Sequence, residues 1–461
     1  MKLRLVKIEN LHGYITSKFQ LDDDLALIVG INGAGKTSTL NAINWMLNLD
    51  MARLCTESFD TISINFEYHG KDYLYTAHQY SDHLLIKLQN TTDDIEFNDI
   101  IAALSYDPKI LSKLPQKKNR EYEHLQDMGP DDDEVETWDF IISLPSPMII
   151  GLDRTLYTSK NRQIMVDGRE FPIYENENNR KQTPLQIVSK LLENQYSIHN
   201  SELLKINRVL NETILLSSFD KVYTEDVAYE VLNSPVPSAM ELKVLEEKVI
   251  QFLKDNNNWD TKSELNIDSN NFRNIPENKI RTYFSDLRKV FKNRVKKNEG
   301  FDLAYLLNLS QIHKVNRLTD AFSDFEKKTQ EEIEPLEKFM EIVNSFFKDS
   351  AKRLYFVKGP GTLRFNVIDK TGKTIQRGLS INLLSSGEKQ ILILLTYIKY
   401  RKETLFLIDE PELSLHVKWQ EEFLNAIELI KRHETQLIIA THSPEIIGEY
   451  RNKCRVLNPF T

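Results

Sequence analysis

The sequence predicts an α/β protein whose parallel sheet is assembled from the two ends of the chain and split by a largely helical insertion. Three observations carry this expectation. Short apolar runs that read as strands buried on both faces occur near both ends: "LALIVG" at Leu25–Gly30, then "TLFLIDEP" and "QLIIATHSP" far downstream. These strands alternate with helical patterns, as a parallel sheet requires. Between residues 183 and 352 the strand signal gives way to helical spacing.

The bounds agree with this. A chain of 461 residues can form two or three domains with at least one large core. Hydrophobic and charged contents of 41% and 28% are those of a soluble protein, and 15 Gly with 15 Pro favour a helix-rich chain over a sandwich of short strands. A net charge of −9 argues against a surface covered with nucleic-acid contacts but leaves room for a local basic patch. Two distant cysteines, Cys55 and Cys454, with no CxxC pair, point away from a zinc site or disulfide framework. The start "MKLRLVKIEN" has no apolar signal core, so a cytoplasmic location without a membrane partner is expected.

The elements follow in order. "MKLRLVKIEN" alternates as a strand, and Leu40, Ile43 and Leu47 stand at helical spacing after the glycine turn. Residues 61–78 read as an antiparallel hairpin, Gln126–Asp139 as an acidic loop, and "PSPMIIGLDR" as a buried strand ending at Asp153 and Arg154. In the helical part, Val315, Leu318, Phe322 and Phe325, then Ile333, Leu336, Met340, Val343 and Phe347, suggest short coiled arms, with Pro335 marking a kink or a helix start. Lys254–Asn271 is Asn-rich and reads as a connection. A hairpin around residues 369–372 precedes the last strands. The expected division is 1–182 and 351–461 as the two parts of one domain, with 183–350 as the insertion.

Three stretches carry chemistry. "GINGAGKT", Gly30–Thr37, fits G-x-x-x-x-G-K-[ST] between a buried strand and a helix. Its backbone N–H groups and the helix N-terminus suit phosphate oxygens, Lys36 reaches the β/γ-phosphates, and the Thr37 hydroxyl suits Mg²⁺. The candidate ATP-binding set is Gly30, Asn32, Gly33, Ala34, Gly35, Lys36, Thr37 and Ser38. At the carboxyl end of the strand Leu405–Ile408, Asp409 suits the Mg²⁺ shell and Glu410 can take a proton from an attacking water. "LLSSGEKQ" opens a helix with Ser385 or Ser386 as its cap, and Ser385, Ser386 and Gly387 could present N–H groups to an anion.

Together, Gly30–Thr37, Leu384–Glu388, Asp409–Glu410 and His442 resemble the phosphate loop, signature, Walker B pair and switch histidine of an ABC-type ATPase. The wording is similar to the branch shared by RecF, Rad50 and the overcoming-lysogenization-defect proteins. The resemblance covers about the first 50 and last 80 residues. It implies a homo-oligomer in which Ser385 and Gly387 touch the γ-phosphate of ATP held by the other subunit's Lys36. It also implies that His442 contacts the γ-phosphate in cis and that Ser414 lies in the loop crossing the seam. Where the branch often has Arg-Gly-Phe, this chain has His12-Gly13-Tyr14. Gln79, or the segment Ile150–Arg154, could serve in place of a glutamine loop.

No nuclease constellation is evident in the middle, and none follows "THSP". That combination is similar to stand-alone ATPase subunits of bacterial antiphage systems such as Septu and PARIS. It implies a sensor or scaffold controlling a separately encoded HNH or TOPRIM nuclease, with DNA or a phage protein as trigger. The alternative is a RecF/Rad50-like DNA-binding ATPase of DNA repair. The basic stretch Lys279–Lys297 would then be its nucleic-acid surface, although it also reads as a solvated helix face.

Overall fold

The fold is described from a computed structural model covering residues 1–21, 24–151, 156–157, 164–166, 169–171, 183–217, 238–256, 270–296, 303–369 and 371–457. In chain order, strands β1 (Lys2–Leu11), β2 (Ile15–Gln20) and β3 (Leu25–Val29) lead into helices α1 (Lys36–Leu47) and α2 (Met51–Thr56). Next come β4 (Thr61–Tyr68), β5 (Lys71–Gln79), β6 (His83–Asn90), β7 (Ile95–Glu96) and β8 (Ile100–Ala103), then α3 (Pro108–Leu111), α4 (Pro115–Leu125) and α5 (Val135–Ser143). Strand β9 (Met148–Ile150) and the short β10 (Leu156–Tyr157), β11 (Ile164–Val166) and β12 (Arg169–Phe171) precede four helices. These are α6 (Pro184–Ser217), α7 (Ala239–Asn256), α8 (Asn270–Lys296) and α9 (Leu303–Phe347). The chain returns through β13 (Lys352–Phe356), β14 (Leu363–Ile368) and β15 (Thr374–Ser380). It continues through α10 (Ser386–Tyr400), β16 (Leu405–Asp409), α11 (Val417–Ile430), β17 (Gln436–Thr441), α12 (Pro444–Ile447) and β18 (Cys454–Val456).

The alternating N-terminal strands pair antiparallel in the order β2-β1-β4-β5-β6-β7, with β8 also on β6. The apolar runs form a second sheet, β10-β9-β16-β17-β3-β18, parallel from β9 to β18. These runs lack polar alternation because both of their faces are covered. Ala26, Ile28, Leu405, Leu407, Ile438 and Ala440 pack toward the antiparallel sheet and α1. Leu25, Leu27, Phe406, Ile408, Leu437 and Ile439 pack toward α10 and α11.

The chain divides into two compact units, Met1–Asn194 with Phe339–Thr461, and Gln195–Lys338. These two sheets, the β11-β12 pair and the three-stranded sheet β13-β14-β15 all lie in the first. The second is helical, with a core of Leu242, Phe284, Leu287, Phe291, Leu309, Ile312 and Val315. Among the described residues no helix is long and apolar enough to cross a membrane.

Three local expectations are corrected. The acidic stretch Gln126–Asp139 is not all loop: α5 starts at Val135, because Thr137, Trp138 and Ile141 have a core to bury in. Within that stretch Glu134 is buried and accepts from the backbone N–H of Ile101 and Asp131. Pro335 starts no helix; it lies inside α9, on an exposed position where water can bind the carbonyl that it leaves without a donor. Of the Asn-rich connection, Lys254–Asn256 ends α7 and Asn270–Asn271 begins α8; the remainder lies outside the described residues, as do Asp153 and Arg154.

One side chain joins the two sheets across nearly the whole sequence. Buried Gln436, at the start of β17, donates to Leu3 O and Leu21 O and accepts from Leu3 N, at 2.8–2.9 Å. Replacing it with Leu leaves three buried backbone groups without this partner, which should cost about 3 kcal/mol. A urea midpoint equal to wild type in Gln436→Leu would contradict this.

Candidate functional site

The site grows from the carboxyl edge of the parallel sheet. Strand β3 ends at Val29, and the chain turns through Gly30–Gly35 into α1. Gly35 has φ +94°, and a Cβ there would come within 2.5 Å of Ile15 Cδ1, so only glycine fits this entry to the helix. It also leaves α1 without a side-chain cap, so the N–H groups at the very start of the helix are not held by one. Asn32 and Gly33 are exposed in the turn, Ala34 is buried and donates to Ile31 O, and Ser38 is half-buried in the first turn.

Lys36 is buried, and its three ammonium protons have three acceptors: Gly30 O at 3.2 Å, Ile31 O at 3.4 Å and His442 Nδ1 at 3.1 Å. An ammonium can only donate, so His442 Nδ1 is the acceptor and its proton sits on Nε2. That nitrogen faces Glu410 Oε1 at 3.4 Å and Glu412 Oε1 at 3.8 Å. Thr37 donates to Asp409 Oδ2 at 2.7 Å, while Asp409 Oδ1 is buried with no hydrogen-bond partner. Burial pushes the Asp409 carboxyl above its ordinary range; the Thr37 bond opposes this, and the nearby Glu410 charge adds to it. The sequence-predicted residues therefore meet at one place, as a Lys36–His442–Glu410 contact chain and a Thr37–Asp409 bond that neighbour each other along the backbone.

Ser385, Ser386 and Gly387 stand at a second locus. Ser385 caps α10 by accepting from Glu388 N at 3.4 Å, and the Glu388 carboxylate accepts from Ser385 N at 2.7 Å, which is a capping box. Ser385 and Ser386 are exposed, whereas Gly387 is buried. A Cβ on Gly387 would lie 2.3 Å from Ser414 O, so the helix start and the loop after β16 fit only without a side chain. In that loop Glu410 and Ser414 both have positive φ, +46° and +71°.

Several residues here escaped sequence reasoning. Glu412 is buried against the end of β17, and the third carboxylate in "IDEPE" is its only signal in the sequence. Gln390 donates to Pro411 O, and Gln420 to Leu415 O. Lys352 donates to both oxygens of buried Glu388 at 2.8–2.9 Å. Gln79 lies elsewhere: its amide is engaged by the backbone of Leu54, Glu57 and Phe59. In His12-Gly13-Tyr14, Tyr14 is exposed beside Ile15, the residue against Gly35. Part of the basic stretch is answered by acids. Arg281 pairs with Glu277 and Glu246, Arg288 with Glu246, and Lys289 with Asp286; Lys297 lies outside the described residues.

Compared with known proteins, residues 1–447 match the family model described as AAA ATPase domain. No curated protein matches the chain.

The Lys352–Glu388 pair yields a signed expectation. Burial pushes the Glu388 carboxyl up, but Lys352, with Ser350 and the Ser385 N–H, holds it below its ordinary 4.5. A depressed carboxylate contributes stability that is fully present above 4.5 and is lost as pH falls through the lower folded value. Lys352→Met should therefore be destabilised by about 3 kcal/mol at neutral pH. The deficit should shrink in acid as the carboxyl protonates. Urea unfolding across this range measures it, and a deficit independent of pH would contradict the assignment.

Proposed function

The chain belongs to the AAA ATPase domain family, and from that premise we propose that it binds and hydrolyses ATP between two copies of itself, as an ABC-like ATPase of the RecF/Rad50 and lysogenization-defect type. The observation that carries the reading is the cluster in which Lys36, Thr37, Asp409, Glu410 and His442, from both ends of the sequence, are within bonding reach. The uncapped start of α1 suits phosphate oxygens. The nucleotide would take over the Lys36 protons that Gly30, Ile31 and His442 now hold.

The residues also fit a magnesium ion. The unpartnered Asp409 Oδ1 and the Thr37 hydroxyl are hard oxygen donors at the carboxyl edge of the sheet. Among the described residues no cluster of three or more His, Cys, Asp or Glu could hold a metal. That suits an ion taking most of its ligands from nucleotide and water. When bound, it would neutralise charge on the phosphates.

Glu410 then accepts the proton of the attacking water, and the His442 imidazole, freed from Lys36, turns to the γ-phosphate. Ser385, Ser386 and Gly387 of a second copy close the site, with Ser414 in the seam. Their exposure at the start of α10 supports this role for the two serines. A helix N-terminus supplied in trans makes nucleotide hold the copies together, and hydrolysis loosens them. We extend the proposal to a sensor or scaffold in antiphage defence that controls a separately encoded HNH or TOPRIM nuclease, triggered by DNA or a phage protein. That extension rests on the likeness to stand-alone antiphage ATPase subunits, and co-purification of such a nuclease with the native protein tests it.

For the ATPase itself, Glu410→Gln should retain ATP and accumulate a nucleotide-bound dimer with turnover lowered by about a hundredfold or more. Lys36→Ala should lose nucleotide binding. Turnover by Glu410→Gln at the wild-type rate would remove Glu410 from the role of base.

A further inference from the structure

The proposed reaction does not explain Glu412. Its side chain is buried, at 8% exposure, and no lysine or arginine pairs with it among the ion pairs of the described residues. A carboxylate taken out of water without a counter-charge is costly unless hydrogen bonds satisfy it. Here each oxygen has its own donor. Oε1 accepts the backbone N–H of His442, and Oε2 accepts the hydroxyl of Thr441, both at 2.9 Å. Thr441 is the last residue of β17 and is paired with Val29 of β3; beyond it the strand ladder no longer holds the chain. The His442 peptide is thus fixed by a side chain from the loop after the neighbouring strand.

That loop is itself held. Gln390 of α10 donates to Pro411 O at 3.0 Å, and Gln420 of α11 donates to Leu415 O at 3.0 Å. Gln420 also accepts from Ser443 Oγ at 2.6 Å, and that same oxygen caps α12 by accepting from Ile446 N. Thr441 Oγ1 in turn accepts from Ser443 N at 3.1 Å. Residues 441–443 are therefore bound to the loop that carries Glu410, independently of the sheet.

We propose that Glu412 is a positioning residue: through the His442 peptide it fixes where the imidazole can stand between Lys36 and Glu410. The inference rests on the ATPase reading above. When Lys36 turns to a phosphate, His442 loses the hydrogen bond at Nδ1, and the imidazole must reorient on a backbone that does not drift. Glu412 supplies that fixed backbone. Nucleotide affinity comes from the glycine turn and Lys36, so losing Glu412 affects turnover and leaves binding almost intact.

The role belongs to the hydrogen bonds and not to the negative charge, which makes it testable with an isostere. In Glu412→Gln the amide oxygen still accepts from His442 N, and the NH₂ group can donate to the Thr441 hydroxyl, which works in either direction. Steady-state ATPase kinetics and nucleotide binding of the full chain, with thermal melting as the check of folding, give the following expectation. Glu412→Ala loses about tenfold in kcat with KM little changed, and Glu412→Gln recovers most of that loss. If Glu412→Ala does not fold, Thr441→Val carries the test. It is nearly isosteric, removes one of the two donors, and should lower kcat at constant KM, with Thr441→Ser restoring it.

Wild-type turnover in Glu412→Ala, or in Thr441→Val if that variant has to serve, would overturn the inference. So would a loss in Glu412→Gln as large as in Glu412→Ala, because the charge would then be the active feature. A wild-type protein without ATPase activity would instead overturn the reading on which the inference rests.

Discussion

The site depends on the register in which β16, β17 and β3 hydrogen-bond. Asp409 lies opposite Ala440, and Thr441 opposite Val29, so the three strands end level with one another. Each then releases a candidate site residue at the same edge: Gly30 and the turn after β3, Glu410 after β16, His442 after β17. A slip of one residue would exchange the two buried faces of a strand as well as displace its end. Both faces are packed, one toward the antiparallel sheet and the other toward α10 and α11, so the core that stabilises the sheet also sets the geometry of the edge.

Beyond the strand ends, backbone geometry is held by side chains instead of a ladder. Glu410 and Ser414 occupy left-handed conformations that non-glycine residues adopt at a cost of about 1 kcal/mol or more. The loop that carries them is tied at Pro411 by Gln390, at Leu415 by Gln420 and at Ser414 by the close approach of Gly387. The start of α10 is anchored on its other side by Glu388 and Lys352. The candidate catalytic loop and the signature segment are thus two sides of one packed unit, and movement of one must be accommodated by the other.

What the sequence made legible was local. A buried strand, a glycine turn and a helix start are written within a dozen residues, so Gly30–Thr37 and the strand ending at Asp409 could be read directly. By residue type either Ser385 or Ser386 can cap α10; the glutamate three residues after Ser385 is the discriminating sign, through the capping box. What stayed hidden was long-range. Gln436 serves a strand 433 residues away in sequence, and Lys352 neutralises a glutamate 36 residues on. The charge of Arg288 looks free in the sequence, because the acid that answers it, Glu246, lies on a different helix. The start of α5 is masked in the sequence by three consecutive aspartates just ahead of it, while the Trp138 and Ile141 that bury it stand behind them.

The central claim is that one nucleotide site draws Lys36 from one copy and Ser385–Gly387 from another. Complementation measures it most directly. Lys36→Ala protein and Ser385→Arg protein are each assayed alone for ATP hydrolysis and then mixed. Each should be inactive alone, and the mixture should regain activity, because a mixed pair contains one site with both an intact lysine and an intact signature. A mixture as inactive as its components, in which mixed dimers are demonstrably present, would contradict a site shared between two copies.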